Sequence, residues 1–195
     1  DNTNQSPVYT FPNAGSIPVS LTATSNNGCV STGTLIVTVY GLPASQFVTQ
    51  NNCLAVQSTF TNNSTAPLGT SITQYYWDFG DGTFSTLQQP QHVYANTATY
   101  QVQLDVTTAQ SCVSSDIKSV TVYPLPLANF GAPNVCANQN MQYANQSAIS
   151  SGWLNNFSWD FNGDAVSDAN SQNPVHTYPV GGTYNTELVV TSNFG

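Results

Sequence analysis

Charge is what this sequence has least of. Charged residues fill 5% of its 195 positions, against about 25% in an ordinary soluble domain. One basic residue, Lys118, stands against nine acids, for a formal net charge of −8. Nucleic-acid binding needs several Lys and Arg to neutralise phosphates, so this composition excludes it. Anionic membrane surfaces are excluded on the same ground. Long apolar runs are missing too. None approaches the roughly 20 residues of a membrane span, so no membrane insertion is expected. Histidine occurs twice, at His92 and His176. No segment carries a convincing helical period.

What remains is well suited to a sheet protein. Apolar residues make up 39% of the chain and aromatics 11%. Disordered chains are poor in aromatics and β-branched residues, and this one is rich in both. Its polar surface must come from Ser, Thr, Asn and Gln.

Internal repetition is the strongest signal. Residues 7–47 match residues 90–130 without a gap at an offset of 83. Cys29 falls on Cys112, Tyr40 on Tyr123, Phe47 on Phe130 and Cys53 on Cys136. A third copy follows. Its Phe157-Ser158-Trp159-Asp160-Phe161 falls on Tyr75-Tyr76-Trp77-Asp78-Phe79. Pro174-x-His176-x-Tyr178 falls on Pro90-x-His92-x-Tyr94. Asp1 corresponds to Asp168, and Gly28 to Gly195. The chain therefore reads as a window on a longer array. Residues 1–42 are the C-terminal part of a first repeat, 43–125 a complete repeat, and 126–195 a third repeat lacking its last strand. The residue after Gly195 would be the equivalent of Cys29.

Each repeat alternates as half-buried strands do. Tyr100, Val102, Leu104 and Val106 share one face, with Gln101, Gln103 and Asp105 on the other. The first copy has Ile17, Val19, Leu21 and Ala23 there, and the third Tyr184, Thr186, Leu188 and Val190. Asn27-Gly28 is a hairpin turn signal. Tyr75, Trp77 and Phe79 point inward from another strand. Short strands punctuated by Gly, Asn and Pro argue an all-β sandwich. The joints, Gly41-Leu42-Pro43 and Pro124-Leu125-Pro126, are short and proline-bearing, which makes semi-rigid connections.

Trp77-Asp78-Phe79-Gly80-Asp81-Gly82, followed by Pro90-x-His92-x-Tyr94 and Tyr100-x-Val102-x-Leu104-x-Val106, resembles the PKD (polycystic kidney disease) domain. The resemblance covers essentially the whole chain. The third copy departs at the turn, with Asn162-Gly163-Asp164 for Gly-Asp-Gly, and the first has Tyr9 in place of the histidine. The resemblance implies tandem Ig-like β-sandwiches, with seven strands in two packed sheets per repeat. It also implies an extracellular module that spaces, displays or binds. Versions with two cysteines per repeat resemble those in large secreted and surface proteins of bacteria, including adhesins. The functional expectation is a non-catalytic spacer segment of a surface adhesin or filament. The alternative is an accessory polysaccharide- or protein-binding module of a secreted hydrolase.

The candidate residues divide into four groups. Each histidine sits at the same repeat position, so no catalytic pair is assembled, and a structural role near the Trp-Asp-Phe strand is expected. No nucleophile-and-base set is evident, and no enzyme is expected. Asp160, Asn162, Asp164 and Asp168 space as positions 1, 3, 5 and 9 of a calcium loop. Ala165 stands where such a loop wants Gly, however, and Ser171 where it wants Glu. A turn in which these side chains satisfy backbone groups is the preferred reading, and no cofactor is required.

Cys29, Cys53, Cys112 and Cys136 lack the close spacing of a zinc site. They suit disulfides in an oxidising compartment. In an Ig-like order, Cys53 lies at the bottom of the complete repeat and Cys112 at its top. The strand between is about 30 Å long, and a bridge needs Cα atoms within roughly 7 Å. Pairing between neighbouring repeats is preferred, with Cys53–Cys112 as the alternative. Trp153 has no aromatic counterpart. It is read as an edge-of-core residue, or else as a stacking platform for a sugar ring. The expected partners are neighbouring repeats and surface polysaccharide or protein.

Overall fold

Alternating apolar and polar residues commit this chain to strands. In the computed structural model, which describes residues 3–195, every regular element is a strand. Asp1, the counterpart of Asp168, lies outside the described residues. The largest sheet has five strands, in the order Asn52–Cys53, Val113–Tyr123, Thr99–Thr108, Ile72–Asp78 and Phe84–Ser85. Among the described residues, no helix is long and apolar enough to cross a membrane. The chain divides into two compact units, each assembled from separate stretches.

The first unit comprises residues 1–49, 60–90 and 101–118. Val102, Leu104 and Val106 are fully buried, while Gln101, Gln103 and Asp105 point the other way. Leu104 lies opposite Trp77 and Val106 opposite Tyr75 in antiparallel register. Against this row packs an aromatic cluster. The Trp77 ring is 5.1 Å from Phe47 and 5.7 Å from Phe60, and Phe60 is 5.1 Å from Phe79. Each such ring removes roughly 150–250 Å² from water, worth on the order of 4–6 kcal/mol before conformational entropy. Trp77 keeps its polar atom satisfied by donating Nε1–H to the Leu87 carbonyl at 2.9 Å. Phe47 is held from both sides of its backbone. Its N–H donates to Asp116 Oδ2 at 3.2 Å, and its carbonyl accepts from Lys118 Nζ.

The same unit contains the hairpin Gly15–Thr24 and Val30–Val39, paired from Gly15↔Val39 to Thr24↔Val30. Gly28, at φ +80°, closes its turn by donating to the Ser25 carbonyl at 2.9 Å. The expected alternation is present, but Val19 and Leu21 are 42% and 73% exposed. A two-stranded ribbon leaves this row open to solvent.

The second unit comprises residues 50–59, 91–100 and 119–195. Its core is Tyr143, Trp159, Phe161, Tyr178 and Leu188, backed by Phe130, Met141, Phe157, Ala169 and Val190. Leu154–Asp160 pairs antiparallel with Glu187–Ser192, setting Trp159 opposite Leu188. Trp159 Nε1 donates to the Ser171 carbonyl at 2.9 Å. Phe130, Tyr143, Trp159 and Phe161 thus rebuild the cluster of Phe47, Phe60, Trp77 and Phe79.

Candidate functional site

The two histidines are positioned by short strands and serve the core. His176 pairs its backbone with Met141. Its ring stacks on Phe161 at 4.3 Å and meets Tyr178 edge-on at 4.4 Å. Tyr178 in turn stacks on Tyr184 at 3.9 Å. His92 meets Tyr94 edge-on at 4.5 Å, and Tyr94 stacks on Tyr100 at 4.2 Å. His176 therefore sits at the Trp-Asp-Phe strand as one ring of an aromatic ladder.

Asp160, Asn162, Asp164 and Asp168 are gathered in one turn by their own backbone. Asp160 is 7% exposed. Its Oδ1 accepts from the N–H groups of Asn162 at 3.0 Å and Gly163 at 2.7 Å, and its Oδ2 from Ala165 at 2.7 Å. Asn162 Oδ1 accepts from Asp164, and Asp164 Oδ1 from Val166. Asp168 Oδ2 accepts from Phe161 N–H at 2.7 Å. Burial would push the Asp160 carboxyl up. The backbone donors of Gly163, Asn162 and Ala165 outweigh it and hold the group below the usual carboxylate range. Among the described residues, no group of three or more His, Cys, Asp or Glu is gathered in a way that could hold a metal. Each of these four side chains accepts at least one backbone N–H.

Among the described residues, the four cysteines form no disulfide with one another. Cys53 ends a two-residue strand that pairs in parallel with the last strand of the complete repeat, opposite Tyr123. Leu54 N–H donates to the Tyr123 carbonyl at 2.7 Å, which fixes the register. Onto this corner comes the far end of the third repeat. Phe194 stacks on Tyr123 with centroids 4.0 Å apart and planes 5° from parallel. Cys53 Sγ lies 3.7 Å from the Gly195 carbonyl. Gly152 makes room for this tip, since a Cβ there would sit 2.4 Å from Asn193 Oδ1 and 2.5 Å from the Phe194 ring. Cys112 sits elsewhere, at the turn where Thr108 N–H donates to its carbonyl at 3.0 Å.

Among the described residues, Trp153 is tied through its backbone to Asn193, and its side chain is 64% exposed. It stands outside the core cluster, so the edge-of-core expectation gives way to a projecting indole. Sequence reasoning passed over Tyr123 and Phe194 as contact residues. Phe194 carried a faint signal as a ring beside the expected cysteine position, but nothing local says what it touches.

The PKD domain family profile matches residues 42–122 and again 124–195. The chain belongs to the PKD domain family. Two relatives are similar over part of it. A microbial collagenase of Vibrio alginolyticus is 37% identical over 78 residues, which is 40% of this chain and 9% of the collagenase. Collagenase ColA of Bacillus cereus is 38% identical over 63 residues, 32% of this chain and 7% of that protein. This PKD chain therefore spans less than a tenth of either relative. Among solved structures, the PKD1 domain of the Vibrio cholerae metalloprotease PrtV is similar at 27% identity. The match covers 42% of this chain and 96% of that one, with a TM-score of 0.39.

Proposed function

We propose that this PKD segment is a non-catalytic spacer in an extracellular protein, with its repeats stapled end to end. The observation that carries this reading is the corner where Tyr123, Phe194, Cys53 and Gly195 meet. Stacked rings resist hinging, and a thiol beside the Gly195 carbonyl lies next to the position where the repeat pattern expects a cysteine. A disulfide there would join Cys53 of one repeat to the next repeat, and Cys112 would accept the equivalent bridge from upstream. On this reading the boundaries fall at 1–42, 43–125 and 126–195. The tight joint suits a stiff stalk, such as a surface adhesin or filament. Non-reducing peptide mapping of the full-length protein tests it. A Cys53 peptide linked to the segment that completes the third repeat after Gly195 supports the stapled spacer, and a Cys53–Cys112 link overturns it.

A second host is favoured by a specific observation, the similarity to collagenases. There the same segment would serve as an accessory arm of a secreted hydrolase that grips insoluble polysaccharide or protein, with Trp153 as a contact. Loss of retention on Trp153→Ala, measured on a polymer bound by the unaltered chain, checks this reading.

A further inference from the structure

Outside the joint, one surface is built in a way the fold does not require. Tyr76 and Phe84 project from neighbouring strands of the five-stranded sheet, 44% and 67% exposed. Their rings stack at 5.9 Å with planes 21° apart. Beside Tyr76 runs an open groove of about 320 Å³ lined by Thr73, Gln74, Tyr75, Tyr76, Thr86 and Thr107. Asp105 lies directly across from Tyr76, and Asp78 across from Phe84. Gln103 Nε2 donates to Asp105 Oδ1 at 2.8 Å, which orients both side chains. The third repeat builds the corresponding strand with Ser158 in place of Tyr76. It has no Phe, Tyr or Trp between Phe161 and Tyr178. The sheet therefore forms without these rings. Exposing two stacked aromatics adds nothing to the core and invites association.

We infer that this face is a binding platform for a neutral polysaccharide. Aligned flat rings match the C–H faces of sugar rings, and carboxylate, amide and hydroxyl groups at the edge match sugar hydroxyls. Asp78 and Asp105 repel anionic ligands, and the one lysine of the chain is engaged at Phe47. A protein partner would want a desolvated pocket for an anchoring side chain, whereas this groove is open beside a pair of exposed rings. The site is independent of the stapled joint and of Trp153.

Retention of the 195-residue chain on insoluble cellulose and chitin tests the inference, followed by titration with cellohexaose and chitohexaose. The expected result is binding to at least one polymer. Tyr76→Ala and Phe84→Ala should each weaken it on the order of tenfold, while Tyr76→Phe, which keeps the ring, and Val180→Ala, exposed on the third repeat, leave it unchanged. Thermal melts of all four variants should match the parent, which separates lost binding from lost folding. Three results would overturn the assignment: no retention on either polymer, retention that survives both alanine variants, or retention on collagen fibrils alone. None of these bears on the disulfide mapping, so the spacer reading stands or falls separately.

Discussion

Tyr143 carries a hydroxyl where the second repeat has Phe60, and Thr186 one where it has Val102. The two exchanges go together. Tyr178 spends its proton on the Phe161 carbonyl at 2.8 Å, so Tyr143 donates to Tyr178 at 2.8 Å and accepts from Thr186 at 3.1 Å. Burial pushes the Tyr143 hydroxyl up to about 12; the Thr186 hydrogen bond opposes this, and Tyr178 adds to it. The neutral form is thus favoured by folding. Its contribution is complete below pH 10, the ordinary tyrosine value, and is lost as pH rises toward about 12. Alkaline melts should show the third repeat weakening across that window, and Tyr143→Phe should remove the effect. At neutral pH, Tyr143→Phe should cost about 1 kcal/mol through the lost hydrogen bonds to Tyr178 and Thr186, with Thr186 keeping the Tyr178 hydroxyl as a partner at 3.2 Å. Asp160 behaves in the opposite sense. Its carboxyl is held low, so its contribution is present at neutral pH and lost as pH falls through its lowered value. A melting temperature that declines on acidification in the parent, and less so in Asp160→Asn, checks this.

At the scale of elements, the turns decide most. Gly80, at φ +79°, passes so close to the next strand that a Cβ would sit 2.6 Å from the Gln101 carbonyl oxygen. Gly80→Ala should cost at least about 2 kcal/mol, from left-handed strain and a clash with backbone that cannot yield. The longer turn of the third repeat uses Ala165 at φ 64°, an unfavourable conformation for a residue with a Cβ. Ala165→Gly should therefore stabilise by up to about 1 kcal/mol, read by chemical denaturation. With the turn's oxygens already accepting backbone N–H groups, EDTA should leave the melting temperature of the parent unchanged. A rise of several degrees on adding millimolar calcium would instead assign the Asp160 turn to a metal.

For the molecule as a whole, the stacked pair of Tyr123 and Phe194 ties the end of the Val113–Tyr123 strand to the C-terminal residues within one compact unit. Phe194→Ala removes a stacked pair worth roughly 0.5–1.5 kcal/mol beyond its area. The cores of both repeats are untouched, so their melting should change little. Residual dipolar couplings should then report increased motion of the third repeat relative to the second. Unaltered couplings would show that the proline-bearing linker alone sets the joint.

Much of this could be read from the residues in order. The period of two in Tyr100–Val106 named the buried face, and Val102, Leu104 and Val106 lie on it. The offset of 83 set Phe47 on Phe130, and the two take equivalent places beside Trp77 and Trp159. Asn27-Gly28 predicted its turn. These features are local or periodic, and backbone geometry transmits them directly to structure. The alternation of the first hairpin, by contrast, says which side chains share a face but not whether anything covers it. Tyr76 and Phe84 are eight positions apart and become neighbours only through strand pairing. Phe194 finds Tyr123 across 71 positions, by way of a folded third repeat. The spacing of Asp160, Asn162, Asp164 and Asp168 left a calcium loop and a self-satisfied turn both legible, the turn preferred, and which backbone N–H groups those oxygens meet is visible only in the folded turn. Sequence determined the faces, the turns and the repeat; tertiary structure decided the neighbours, because a side chain's period fixes its direction and only the packed chain fixes what lies in that direction.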